Sequence, residues 1–205
     1  MLDKLIIIGY SGHAYVVIES ALSDFTIVGY CDTKKMDHNP YGIEYLGNER
    51  DPNFSFSDDV KFILGIGDNN IRKKICSNLS HRFYFTNVID RSALVSTSVI
   101  IGNGNFINKN VCVNAQARIG NHCILNTGSI VEHECEISHF VHIGPGAVLA
   151  GNVKVGECTF VGANSVIKQG VKVGKNVIIG AGSVVIRDVP DNYIVAGNPS
   201  KTIKK

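Results

Sequence analysis

The chain has 205 residues, 20 Lys or Arg against 18 Asp or Glu, and 44% hydrophobic residues. This composition supports a real core and excludes a disordered tail protein. A net charge of only +2 (20 − 18) gives no reason to expect nucleic acid or an acidic membrane as partner.

The first apolar run, Leu5 to Gly9, is too short for a signal-peptide core or a spanning helix, so a cytoplasmic protein is expected. That run reads as a buried parallel strand. A helix is expected from about His13 to Leu22, then a strand over Thr26 to Asp32. Residues 33–57, rich in Asn, Asp, Pro and Gly, read as loops around a short strand near Tyr45. A strong strand follows over Val60 to Gly67, then a helix capped by Asn70 and running to about Leu79. A last strand is expected over Phe83 to Ile89. Strand–helix alternation makes residues 1–88 a Rossmann-like α/β domain.

Gly9-Tyr-Ser-Gly12 lies between a strand and a helix N-terminus, where free N–H groups suit a phosphate. The dinucleotide fingerprint is incomplete. The two glycines are three apart rather than two, and Ala14 holds the late position. Asp32 ends the second strand, where an acid can meet a ribose or sugar hydroxyl. A plain tight turn accounts for the same residues. Arg72 reads as a solvated helix charge in preference to a phosphate ligand.

From Ile89 to Val185 every sixth residue is Ile, Leu or Val, seventeen of seventeen. Four residues after each stands a second register, Ala93 to Val189, in which only Asn105 is neither small nor β-branched. A strict period of six does not fit a 3.6-residue helix but fits one short strand plus a turn. Three such units close a triangular coil, so residues 89–205 are expected to form a parallel β-helix of hexapeptide type with aliphatics stacked inside. Gly often follows the aliphatic, where a close or positive-φ turn position is expected. Pro190 ends the periodic run. The six Cys, at 31, 76, 112, 123, 135 and 158, form no CxxC pair and read as small buried thiols.

The period resembles that of the bacterial hexapeptide acyltransferases, whose coil is left-handed. Further residues extend the resemblance over nearly the whole chain: Gly9-Tyr-Ser-Gly-His13, Val28-Gly-Tyr-Cys-Asp32, Ile66-Gly-Asp-Asn-Asn-Ile-Arg72, Val131-Glu-His-Glu-Cys135 and Gly197-Asn-Pro199. Together they resemble the sialic-acid O-acetyltransferase-like family, which includes N-acetyltransferases of nucleotide-linked 4-amino sugars. The resemblance implies acetyl-CoA as co-substrate, a UDP-4-amino-4,6-dideoxy sugar type of acceptor, a homotrimer with acetyl-CoA between neighbouring coils, and no metal. It also implies a place in surface glycan or glycoprotein sugar biosynthesis.

By the same resemblance His133 is the general base and Glu134 the acid that raises its basicity. His142, Gly151, Ala163 and Ala181 match cofactor positions; Ser11, Gly12, His13, Asp32, Thr33 and Gly67 match the sugar-nucleotide pocket. Thr33 stands where relatives often carry a second acid. The chemistry is coherent, because an amine attacking a thioester must lose a proton and imidazole takes one near neutral pH. Without the resemblance, His133 also reads as a solvent-facing coil residue, and the small residues as ordinary coil packing. His122 and His139 read as surface residues. The segment Val195 to Lys201 reads both as a cap on the last coil and as the closing segment of coenzyme A-dependent relatives. Rival readings are acetyl transfer to a sugar hydroxyl, a zinc-dependent carbonic anhydrase-like coil, and a non-catalytic scaffold.

Overall fold

The structure, a computed structural model, describes residues 2–79 and 83–204. The N-terminal lobe contains β1 (Asp3–Ile8), α1 (Gly12–Ala21), β2 (Phe25–Cys31), β3 (Tyr45–Gly47), β4 (Val60–Leu64) and α2 (Asn69–Asn78). Its four strands are parallel in the order β3-β2-β1-β4, which is one half of a doubly wound sheet. Alternate residues of β1 feed two cores. Leu5 and Ile7 meet Ala14, Val17 and Ile18 of α1. Ile6 and Ile8 meet Phe62, Leu64 and Ile75 on the other side.

Two local expectations change. Asp68, not Asn70, caps α2, its carboxylate accepting from the Ile71 N–H at 2.8 Å. The strand expected over Phe83 to Ile89 is reduced to a bridge between Phe62 and Phe85 and the pair Val88–Ile89, which already belongs to the coil.

From Val88–Ile89 to Val184–Val185, two-residue strands recur every six residues and stack as three parallel sheets, forming a left-handed β-helix. The second residue of each strand points inward. From Ile107 to Val185 this column is essentially solvent-free, each side chain contributing roughly 1.5–3 kcal/mol of burial. The column opens at its N-terminal end, where no coil lies beneath it. Ile89 is 36% exposed, and Val95 and Ile101 are half-buried.

Of the two roles expected for the glycine after the aliphatic, the structure shows close approach and not positive φ. The left-handed position is the third residue after the aliphatic. Every sixth residue from Gly104 to Gly182 has φ between 54° and 73°, among them Gln116, His122, Glu134, Phe140 and Cys158. Glycines directly after the aliphatic serve close stacking instead. A Cβ on Gly162 would lie 2.5 Å from the Ala181 nitrogen on the next coil.

The three faces differ by their outward residues. One carries Val88, Phe106, Ile124 and His142, all buried beneath the lobe. A second carries Ile100, Arg118, Glu136, Lys154 and Lys172, with Lys154 paired to Glu136 at 2.8 Å. The third carries only apolar or thiol groups, Leu94, Cys112, Ile130, Val148, Val166 and Val184, with Leu94 69% and Val166 41% exposed. Among the described residues, no helix is long and apolar enough to cross a membrane.

Candidate active site

Glu132-His133-Glu134 turns the chain from Ile130–Val131 on the apolar face to Glu136–Ile137 on the charged face. Glu134 takes the left-handed position, φ 61°, and its carboxylate meets His133 Nδ1 at 3.0 Å. A carboxylate only accepts, so Nδ1 carries the hydrogen, and in the neutral ring the lone pair falls to Nε2. The His133 ring lies over Gly151, one coil on. A Cβ there would come within 2.5 Å of Cε1 and Nε2, so a side chain at 151 would push this imidazole out of its place. The pair sits in solvent, with half of the His133 side chain exposed.

The lobe forms a cleft at the C-terminal ends of its strands, lined by Gly9, Ser11, Asp32, Thr33, Glu49 and Arg50. Ser11 N-caps α1 without using its hydroxyl, and Gly12 is exposed beside it. Asp32 braces the loop: Oδ2 accepts from the Tyr10 N–H at 3.0 Å and Oδ1 from the Thr33 N–H at 2.7 Å.

A second group sits where the lobe meets the coil. The His142 ring approaches the Gly67 carbonyl through Nδ1 (3.2 Å) and Asn126 Nδ2 through Nε2 (3.1 Å). A carbonyl only accepts, so Nδ1 donates and Nε2 accepts. His13 lies beside Gly67 with its ring centre 6.1 Å from that of His142, and its Nε2 is buried with no protein partner. Burial holds His13 and His142 down to about 4, with the Arg72 charge adding to the effect on both.

The sites expected from sequence therefore fall into separate places. His133, Glu134 and Gly151 share one corner. Ala163 and Ala181 occupy the turns joining the lobe face to the apolar face, the next corner round. His13, Gly67 and His142 lie under the lobe; Ser11, Gly12, Asp32 and Thr33 lie at its cleft. In a triangular prism the His133 corner is opposite the lobe face, so one chain does not bring its own imidazole to its own lobe.

Arg72 corrects the sequence reading. It is 1% exposed, and its guanidinium reaches five acceptors: the carbonyls of Ile66, Gly67, His122 and Phe140, and Asn69 Oδ1. Asn69 Nδ2 continues the contact to the carbonyls of Cys158 and Thr159. His122, Phe140 and Cys158 are successive left-handed residues of one corner, and Arg72 and Asn69 satisfy carbonyls there that the strand ladder leaves open. His122 is likewise not a surface residue. It stacks on Phe140, ring centres 5.1 Å apart, and burial lowers it to about 4. His139 is exposed. The spacing Asn69, Arg72, Ile75 was a signal for one inward helix face. Among the described residues, no group of three His, Cys, Asp or Glu is arranged to hold a metal ion.

The PglD N-terminal domain family matches residues 4–79, and the bacterial transferase hexapeptide (six repeats) family matches 134–169 and 152–187. Comparison with curated proteins gives no match. Among solved structures, the acetyltransferase domain of PglB from Neisseria gonorrhoeae in complex with acetyl coenzyme A superposes with a TM-score of 0.92 at 33% identity, over 99% of this chain and 100% of that one. A histidine-to-alanine variant of GDP-perosamine N-acetyltransferase from Caulobacter crescentus, in complex with CoA and GDP-perosamine, gives 0.89 at 34%, over 100% of this chain and 99% of that one. WeeI from Acinetobacter baumannii gives 0.85 at 24%, over 97% of this chain and 99% of that one, and supports the fold alone. With identity at this level along the whole of both chains, the chain belongs to the hexapeptide-repeat family of acetyl-CoA-dependent N-acetyltransferases of nucleotide-linked amino sugars.

Proposed function

We propose that the protein transfers an acetyl group from acetyl-CoA to the 4-amine of a nucleotide-linked 4-amino-4,6-dideoxy sugar, with His133 as general base. The observation that carries this is the His133–Glu134 pair at 3.0 Å, with Nε2 unpartnered above Gly151. His133 Nε2 takes the amine proton as nitrogen attacks the thioester carbonyl. Glu134 holds the Nδ1–H and stabilises the imidazolium. The C–S bond then breaks and the imidazolium returns the proton to the departing thiolate, giving an amide and free CoA. Water has no part in the balance, and no covalent enzyme intermediate is needed.

The working unit is a homotrimer. The apolar outward face that the lobe does not cover, from Leu94 to Val184, is flanked by the His133 corner on one side and by the small-residue corner of Ala163 and Ala181 on the other. Packing such faces about a threefold axis sets the His133 corner of one copy against the small corner and lobe edge of the next. Acetyl-CoA lies in that seam, and the lobe of the second copy delivers the sugar. The UDP form, a cytoplasmic location and a role in surface-glycan or glycoprotein sugar synthesis are parts of the same reading.

The test is thiol release from acetyl-CoA with a panel of UDP-, GDP- and dTDP-linked amino sugars. An alkali-stable product supports amide formation, and an alkali-labile one supports the hydroxyl acceptor. No thiol release with any sugar ends the proposal.

A further inference from the structure

The corner that follows the lobe face carries one column of residues, Asp90, Asn108, Asn126, Gly144, Gly162 and Gly180, each one coil above the last. Side chains fill this corner up to Asn126, and glycine leaves it bare above. The bare stretch includes Ala163 and Ala181, where acetyl-CoA lies in the reading above. The His142 ring reaches from the level of Gly144 down to Asn126, so these two side chains close the lower end of the bare stretch.

A one-way chain of hydrogen bonds runs from this corner into the lobe, and backbone groups decide the direction of its links. The Lys109 N–H can only donate, so the Asn108 atom it meets at 2.7 Å is Oδ1. Asn108 Nδ2 is then the atom that donates to Asn126 Oδ1 at 2.9 Å and to Thr127 Oγ1 at 2.8 Å. The Thr127 N–H, at 2.8 Å, likewise marks the Asn126 oxygen. Asn126 Nδ2 therefore faces His142 Nε2 at 3.1 Å, which must accept, while Nδ1 donates to the Gly67 carbonyl at 3.2 Å. Asn108 is wholly buried. With its oxygen held by Asn108 and Thr127, the Asn126 amide cannot turn over to offer Nε2 an acceptor without losing both bonds.

We propose that Asn108 is a positioning residue: through Asn126 it keeps the His142 ring neutral with its hydrogen on Nδ1, and so holds the Gly67 loop of the lobe in a fixed place against the cofactor corner. The inference rests on the acetyl-transfer reading, in which that corner takes acetyl-CoA and the lobe delivers the sugar, and it adds what sets the two relative to each other. Arg72 from α2 and His13 from α1 are the charged or titratable groups that face the ring, and Ile124 and Phe160 flank it on the coil. Arg72 already donates to the Gly67 carbonyl at 2.8 Å. An imidazolium here would set a second cation beside the guanidinium on one oxygen, and repulsion would move the loop.

The test uses two variants of the full-length protein that lack the Asn108 donor, Asn108→Leu without charge and Asn108→Asp with the native shape. The His142 ring is titrated by NMR of histidine-labelled protein, its signal assigned with His142→Gln, and kcat and KM are measured against pH. In the wild type the signal is expected to stay that of a neutral ring from about pH 8 to about pH 5. In both variants the Asn126 amide is free to turn its oxygen to Nε2. The ring is then expected to titrate closer to its ordinary 6.5. In both, kcat/KM is expected to fall about tenfold, with an acid limb that begins at higher pH than in the wild type. Rates lowered by one factor at every pH, with the ring titration unchanged, mean loss of folded enzyme and overturn the proposal. A shift in Asn108→Asp alone is the effect of the added charge and overturns it too. If neither variant folds, Asn108 is a structural residue only and the assignment falls. If the wild type transfers no acetyl group to any amino sugar, the acetyl-transfer reading falls, while the ring titration, which needs no substrate, still decides whether Asn108 holds His142 neutral.

Discussion

The guanidinium of Arg72 donates to the Phe140 carbonyl at 3.0 Å, joining the first turn of α2 to a coil corner 68 residues away. The same side chain holds the Gly67 carbonyl, which accepts from His142. One buried cation thus fixes the lobe to the coil and sets the loop at the lobe's strand ends. Among the described residues no carboxylate forms an ion pair with it; four backbone carbonyls and the Asn69 amide oxygen receive its hydrogens.

Removing Arg72 leaves several buried carbonyls unpaired. Arg72→Met is expected to destabilise the protein by about 3 kcal/mol and to lower the melting temperature by several degrees. Arg72→Lys is expected to fall between, since an ammonium cannot span the fork of acceptors. A melting curve for Arg72→Met that coincides with wild type would show that the staple carries no stability.

His133→Ala is expected to lower kcat by about 10²–10⁴-fold, the usual contribution of a positioned base. Glu134→Gln keeps the shape but not the charge, and a smaller loss, about tenfold, is expected. Steady-state rates under saturating acetyl-CoA check both. Wild-type kcat in His133→Ala would return the imidazole to the role of a solvated coil residue.

If sites form between copies, complementary defects rescue each other. His133→Ala and Ser11→Trp are each expected to be inactive alone. Refolded together in equal amounts they are expected to regain up to about one quarter of wild-type activity, from sites pairing an intact imidazole with an intact lobe. Ile130→Glu, on the apolar face, is expected to yield monomers by sedimentation and to abolish rescue. Activity in a monomer would place the whole site within one chain.

His13, His122 and His142 are each held down to about 4, by burial first. They stay neutral in the folded state at pH values where the unfolded chain, near 6.5, binds protons. The stability they contribute is complete above pH 6.5 and is lost as pH falls toward 4. Melting temperatures are expected to drop across that window. The drop should be smaller in His122→Asn, which removes one titrating ring and tolerates the left-handed backbone. A flat profile from pH 7 to 4 would contradict the burial argument.

Two kinds of glycine are expected to behave differently. Gly162→Ala forces a Cβ to within 2.5 Å of backbone on the next coil, a cost of about 1–3 kcal/mol. Gly128→Ala meets nothing within 4 Å but keeps φ at 63°, a cost of about 1–2 kcal/mol. Chemical denaturation of the two variants ranks them. A Gly162→Ala protein as stable as wild type would show that the coils can separate to admit the methyl.

The coil was legible in the sequence because its physics is one-dimensional. Within the coil each unit packs against units of its own and the adjacent coils, so a period read from Ile89 to Val185 already contains that packing. The same periodicity made Glu132-His133-Glu134 visible as a polar interruption. The lobe's strands and helices were legible from apolar runs and turn residues, with Asp68 in place of Asn70 as a small miss of capping.

Nothing periodic connects Arg72 to Phe140, or His142 to Gly67. Those pairs exist only once the lobe lies on one face of the prism, and so Arg72 read as solvated and His122 as exposed. Tertiary structure also decided which face stays bare, which corner carries the imidazole, and that this corner points away from its own lobe. Burial and charge pairing between distant segments depend on how two finished domains dock, and a local pattern of residues does not encode that docking.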